Sequence, residues 1–133
     1  MSLVVDASVA VKWFLPEQGS RDAVALRDQG LDLIAPASAL YEIYHAVWNA
    51  ERSRRASGIR LAELAELLSK AFITLAATEP LFLPAAALAR DLSHPIYDCV
   101  YLALAQRENA ALTTADDRLV AAARKAKIKV KRL

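Results

Sequence analysis

Cysteine is almost absent from this chain. Cys99 stands alone, which excludes an internal disulfide and fits a reducing compartment. Glycine is nearly as scarce. Gly19, Gly30 and Gly58 are the only three, so no glycine-rich phosphate loop can be assembled, and dinucleotide-binding and P-loop readings fail. The two histidines, His45 and His94, have no zinc-ligand spacing with each other or with Cys99. No apolar run approaches the roughly 18 residues needed to span a bilayer. The opening MSLVVDASVAVKWFL lacks a basic leader and is interrupted by Asp6 and Lys12. A cytoplasmic protein with no membrane segment is therefore expected.

Charge of one sign is also lacking. Seventeen Lys and Arg against fifteen Asp and Glu leave +2, too little by itself to argue for nucleic acid. The distribution says more. Seven basic residues and no acid lie between Arg118 and Leu133, and ERSRR occupies residues 51 to 55. These segments offer positive surface to an anionic polymer, or they are solvated helix ends and a protected sheet edge.

What is present is apolar periodicity. At 133 residues and 56% apolar, the chain is expected to form one globular domain over residues 1–133. SLVV (2–5), LDLIAP (31–36), FITLAA (72–77), ALTT (111–114) and IKVKR (128–132) read as short strands. Between them the pattern becomes helical: from Val9 to a stop at Pro16, over 19 to 29, and from about Ser38 to Ala56 with a stop near Gly58. Helical patterns also cover 60 to 71, Pro80 to Leu92, Pro95 to Asn109 and 115 to 125. Strands alternating with helices imply a parallel sheet covered on both faces. Such sheets bind ligands outside the carboxyl ends of their strands.

Four acids are conspicuous in that frame. Asp6 lies just past the first strand, and Asp116 just past the fourth. Each has a capping alternative: Asp6 or Ser8 can cap the following helix, and Thr114 to Asp117 has the spacing of a capping box. Asp98 falls in HPIYDCVYLALA, in line with Tyr101, Leu102 and Ala105 on a stripe that reads as buried. An unpaired carboxylate there is expensive. Glu42 lies on a polar stripe with Ser38, His45 and Asn49 on an otherwise apolar and aromatic helix, which is either a solvated face or part of a site. If these acids converge, each pair at 4 Å costs roughly 4 kcal/mol at an effective dielectric near 20. A hard divalent cation such as Mg²⁺ or Mn²⁺ relieves that cost, since carboxylates and water are its preferred ligands.

The order VVDAS, helical Glu42, HPIYDCVYLALA, LTTADDRL resembles the PIN-domain family, and VVDASVAVKWFLPE is similar to the VapC-type toxins within it. The resemblance spans the chain. It implies a three-layer α/β/α sandwich around a mainly parallel sheet of about five strands. It implies an endoribonuclease dependent on Mg²⁺ or Mn²⁺, in which metal-activated water hydrolyses RNA. By position, Asp6, Glu42, Asp98 and Asp116 match the family's catalytic, metal-binding acids. Ser8 and Thr114 match its supporting hydroxyls, and Asp117 is placed to assist. Arg52, Arg54 and Arg55 are candidates to contact RNA or an antitoxin. A VapB-type antitoxin and a homodimer are the implied protein partners. One departure is visible: His45 stands where many relatives have asparagine.

Two other classes fit part of the pattern. A Mg²⁺-dependent phosphatase or phosphoacceptor domain uses acids at strand ends, but needs a lysine at a later strand end and leaves Glu42 and Asp98 unexplained. A catalytically inactive RNA-binding scaffold has no use for four intact acids.

Overall fold

The computed structural model describes residues 2–53, 59–71 and 73–133. Arg54, Arg55, the stop at Gly58 and Phe72 fall outside the described residues. Strands β1 (Ser2–Val5), β2 (Asp32–Pro36), β3 (Ile73–Ala76), β4 (Ala111–Thr114) and β5 (Val130–Arg132) form one sheet in the order β3-β2-β1-β4-β5. Every pairing is parallel; Val4 sits beside Ile34 on one side and Leu112 on the other. β1 is central because its residues are apolar on both faces: Val4 and Val5 are wholly buried.

Seven α-helices among the described residues cover the sheet: α1 (Ala7–Ala10), α2 (Ser20–Arg27), α3 (Ala39–Arg52), α4 (Leu61–Lys70), α5 (Phe82–Leu92), α6 (Ile96–Glu108) and α7 (Asp117–Lys125). Parallel neighbours require crossovers, and such connections are right-handed as a rule. Crossovers running from β1 outward to β3 put α1 to α4 on one face. Those running from β3 back through β4 to β5 put α5 to α7 on the other. The helix contacts follow this division: α1 packs on α3 and α3 on α4, while α5 packs on α6. The result is the three-layer α/β/α architecture.

Two helices matter most for the site. α3 buries Ala39, Ile43, Val47 and Ala50, a stripe at helical spacing that leaves Glu42 and His45 on the outer side. α6 is buried all round from Cys99 to Ala105, with Tyr101 fully enclosed, so only its first turn and its far end meet solvent.

The sequence boundaries shift in physically ordinary ways. The helix expected from Pro80 starts as a 3₁₀ turn, Glu79–Leu81, before α5 begins at Phe82. The segment Val9 to Phe14 is α1 followed by a 3₁₀ turn, Val11–Trp13, because Pro16 ends it early. The last strand is shorter than expected: Lys127 turns at φ 59°, which leaves β5 only three residues on the sheet edge.

Candidate functional site

The sheet order makes β1 and β4 neighbours, although one begins the chain and the other comes near its end. The chain runs outward in opposite directions from this pair. The gap beyond their carboxyl ends is therefore the switch point of the sheet, where α/β folds bind ligands. Asp6 leaves β1 there, and its amide extends the ladder by donating to the Thr113 carbonyl at 3.0 Å. Asp116 leaves β4 at the same level. α3 brings Glu42 and the first turn of α6 brings Asp98. All four acids line one cleft of about 380 Å³, together with Ser8, Lys12, Glu17 and Ala115.

Asp6 is 5% exposed. Its Oδ2 accepts hydrogen bonds from Ser8 Oγ at 2.5 Å and from Thr114 Oγ1 at 2.7 Å. Each hydroxyl also accepts from a backbone amide, Ser8 Oγ from Ala115 N at 3.1 Å and Thr114 Oγ1 from Asp116 N at 3.0 Å. Ser8 and Thr114 thus tie Asp6 to the turn that presents Asp116. The capping alternative for Asp6 is not realised, since its side chain makes no cap bond to α1.

The capping box expected from Thr114 to Asp117 is not realised either. Thr114 is still in β4, fully buried and turned toward Asp6, so it cannot cap. Asp116 is the N-cap: one carboxylate oxygen accepts from Arg118 N at 2.9 Å. Asp117 does not line the acid cleft. It is exposed, binds the Arg132 guanidinium on β5, and has its carboxyl held below the usual range by that partner.

Three residues that spacing did not assign a role complete the surroundings. Tyr101 is the buried hinge of the site: its hydroxyl donates to Glu42 Oε1 at 3.0 Å and accepts from Ala7 N at 3.2 Å. His94 Nε2 lies 2.8 Å from Asp98 Oδ2, an i,i+4 pair that a search for zinc spacing passes over. Lys12 borders the cleft but is tied to Glu17 Oε1 at 3.2 Å and the Gln18 carbonyl at 2.6 Å. Arg52, at the far end of α3, is exposed, packs over Trp48 and donates to Asn49 Oδ1.

Ionisation of Asp6 and of Glu42 is opposed by their surroundings. Burial raises the Asp6 carboxyl, the charges of Asp98 and Asp116 raise it further, and the Ser8 and Thr114 hydrogen bonds oppose the rise. Glu42 is exposed as a residue, yet its carboxyl is pushed up to about 7, first by loss of water and then by Asp6, with Asp98 adding and Tyr101 opposing. Burial likewise raises the Tyr101 phenol, with Asp6 and Glu42 adding, so it stays a hydrogen-bond donor at any working pH.

Among the described residues no group of three or more His, Cys, Asp or Glu side chains is arranged to hold a metal ion. The donor chemistry nonetheless suits a hard dication. Four carboxylates face one cleft, the one lysine on its wall is engaged elsewhere, and the second oxygen of Asp6 has no hydrogen-bond partner among the described residues.

An acid-lined cleft at the switch point of a five-stranded parallel sheet defines the class. The model of the PIN domain matches residues 3–125, and the chain belongs to the PIN-domain family. It is 30% identical over 121 residues to Ribonuclease VapC3 of Pyrobaculum aerophilum, covering 90% of this chain and 92% of that protein. Among solved structures it is similar to VapBC2 from Rickettsia felis bound to a DNA fragment from their promoter, with TM-score 0.70, 14% identity, and 99% and 98% of the two chains covered. A toxin–antitoxin complex from Klebsiella pneumoniae matches with TM-score 0.65, 14% identity and 90% of each chain covered. No helix among the described residues is long and apolar enough to cross a membrane.

Proposed function

We propose that this protein is a metal-dependent endoribonuclease, the VapC-type toxin of a toxin–antitoxin pair, acting in the cytoplasm. The observation that carries the proposal is the convergence of Asp6, Glu42, Asp98 and Asp116 on one cleft with no free cation among them. The 30% identical relative named a ribonuclease supports the substrate class.

Asp6, Asp98 and Asp116 would hold Mg²⁺ or Mn²⁺, with Glu42 beside them. When bound, such a cation lowers the pKa of water and offsets charge on a phosphodiester. The chain's own residues do the rest. Ser8 and Thr114 fix the Asp6 carboxylate, so that it is positioned before any ligand arrives. His94 fixes Asp98. Tyr101 fixes Glu42 at one oxygen and leaves the other to accept a proton from an attacking water. With one oxygen held by Tyr101 and the other unbonded among the described residues, Glu42 is placed to act as that base.

An apolar groove of about 630 Å³, lined by Leu40, Tyr41, Tyr44 and Phe82, runs between the start of α3 and α5. Tyr41 is 82% exposed beside it. This surface supports a protein partner, and the reading assigns it to a VapB-type antitoxin or to a second copy of the chain.

The test is incubation of the purified protein with RNA, with Mg²⁺ or with EDTA, followed by mapping of 5′ ends. Cutting is expected only with the cation. Asp6→Asn and Asp98→Asn are each expected to abolish it while the far-ultraviolet circular dichroism stays that of the parent. Cutting retained by the double variant refutes the site.

A further inference from the structure

A second groove, of about 440 Å³, adjoins the acid cleft. It lies between the Val11–Pro16 segment and the outer side of α3, and it shares Val11, Glu17 and Ala46 with the cleft. We propose that it is a subsite for one nucleobase of single-stranded RNA, next to the phosphate that is cut. The inference rests on the nuclease reading and adds to it a residue-level basis for sequence preference.

The lining fits a base rather than a phosphate. Val11, Leu15 and Pro16 make one apolar wall, and His45 and Asn49 stand opposite on α3. The cation nearest to hand, Lys12, is held by Glu17, whose carboxylate repels a phosphate. An unstacked base needs apolar surface to pack against and hydrogen-bonding groups at its edges, and His45 offers the one aromatic ring among the described lining residues. Position points the same way: Asn49 is two helical turns beyond Glu42 on the same polar stripe, so the groove continues the line of the cleft.

The two polar residues are also held in place. The His45 ring packs on Trp48 with centroids 5.5 Å apart and planes tilted by 31°. The Arg52 guanidinium lies 5.0 Å from the centre of the Trp48 ring and donates from Nη2 to Asn49 Oδ1 at 2.7 Å. Arginine only donates, so the oxygen of Asn49 must be the atom that meets it. The Asn49 amide NH₂ has no partner among the described residues, and it is the group left to donate to a ring nitrogen or carbonyl of a base. Arg52 adds positive charge at the outer rim, where the strand backbone would leave.

Two measurements test this. In RNA cutting, Asn49→Ala and His45→Ala are each expected to raise KM about tenfold, the worth of one base contact. Their kcat should change far less, and the base preference at one position beside the cut should flatten. Wild-type KM with an unchanged map of cut sites overturns the proposal. The second readout needs no cutting. Trp48 is 45% exposed, whereas Trp13 is partly buried and donates to the Ala23 carbonyl. Addition of a short single-stranded RNA, with Mg²⁺, to the Asp98→Asn protein, which is expected not to cut, should therefore change Trp48 fluorescence, and Trp48→Phe in that background should abolish the change. Asn49→Ala should need about tenfold more RNA for the same effect. No fluorescence change, or a change with an antitoxin peptide but not with RNA, overturns the subsite. Absence of cutting by the wild-type protein with Mg²⁺, while fluorescence still reports RNA, overturns the nuclease reading alone.

Discussion

Replacing Tyr101 by phenylalanine separates what this residue does for the fold from what it does for the site. The ring is fully buried in α6, and phenylalanine keeps that volume, so no cavity opens. The loss is confined to the hydroxyl. Ala7 N, in a residue only 2% exposed, loses the acceptor it has at 3.2 Å. A buried amide left without a partner costs about 1–3 kcal/mol. Glu42 loses the donor at 3.0 Å on a partly desolvated carboxyl, which adds to the loss. The expected destabilisation is about 2 kcal/mol, or a fall in Tm of roughly 6–10 °C for a chain of this size.

The same change acts on the site in a direction that can be read separately. Tyr101 is the one neighbour that lowers the Glu42 carboxyl against desolvation and the charges of Asp6 and Asp98. Without it the Glu42 carboxyl should rise further, and the rising limb of the pH–rate profile for RNA cutting should move to higher pH. Urea unfolding in EDTA measures the first effect and single-turnover cutting across pH measures the second. A Tyr101→Phe protein within about 0.5 kcal/mol of wild type, with an unmoved pH profile, would refute the role given to this hydroxyl.

Other outcomes follow from the same charges and contacts. Because Glu42 is raised from 4.5 to about 7, the folded chain keeps a proton that the unfolded chain has lost between those values. Stability in EDTA should therefore fall as pH rises from about 4.5 to about 7, with Asp6 acting in the same sense. Glu42→Gln should flatten that slope, and Mg²⁺ should restore more stability at the alkaline end; urea midpoints that rise with pH in both proteins contradict this. Thr113 Oγ1 is the buried side-chain oxygen without a partner among the described residues, so Thr113→Val should stabilise by about 1 kcal/mol in the same assay. Asp117→Ala removes the Arg132 pair outside the cleft and should leave RNA cutting within about twofold. A large loss of cutting would return Asp117 to the site.

The acids were legible in the sequence because strand-end logic needs only local information. A short apolar run followed by Asp6, and another followed by Asp116, mark the carboxyl edge of a parallel sheet whichever strands turn out to be neighbours. The helix pattern was legible for the same reason: Ile43, Val47 and Ala50 fix the buried side of α3 and leave Glu42 outside it. What spacing could not supply is contact across the chain. That Asp6 meets Thr114 depends on β1 lying beside β4, and that Asp117 turns away depends on Arg132 arriving from β5 at the edge. The misassigned cap has the same origin. Thr114 has capping-box spacing to Asp117, but the helix begins only at Asp117, so Thr114 stays in β4, donates to the buried Asp6 and accepts from Asp116 N. Asp116 then takes the cap with one oxygen and still lines the cleft. Competition for a few hydroxyls and amides therefore decides which acids remain available for a cation. Ser8, Thr114 and Tyr101 serve both fold and site, which is why substitutions there should disturb stability and pH dependence together.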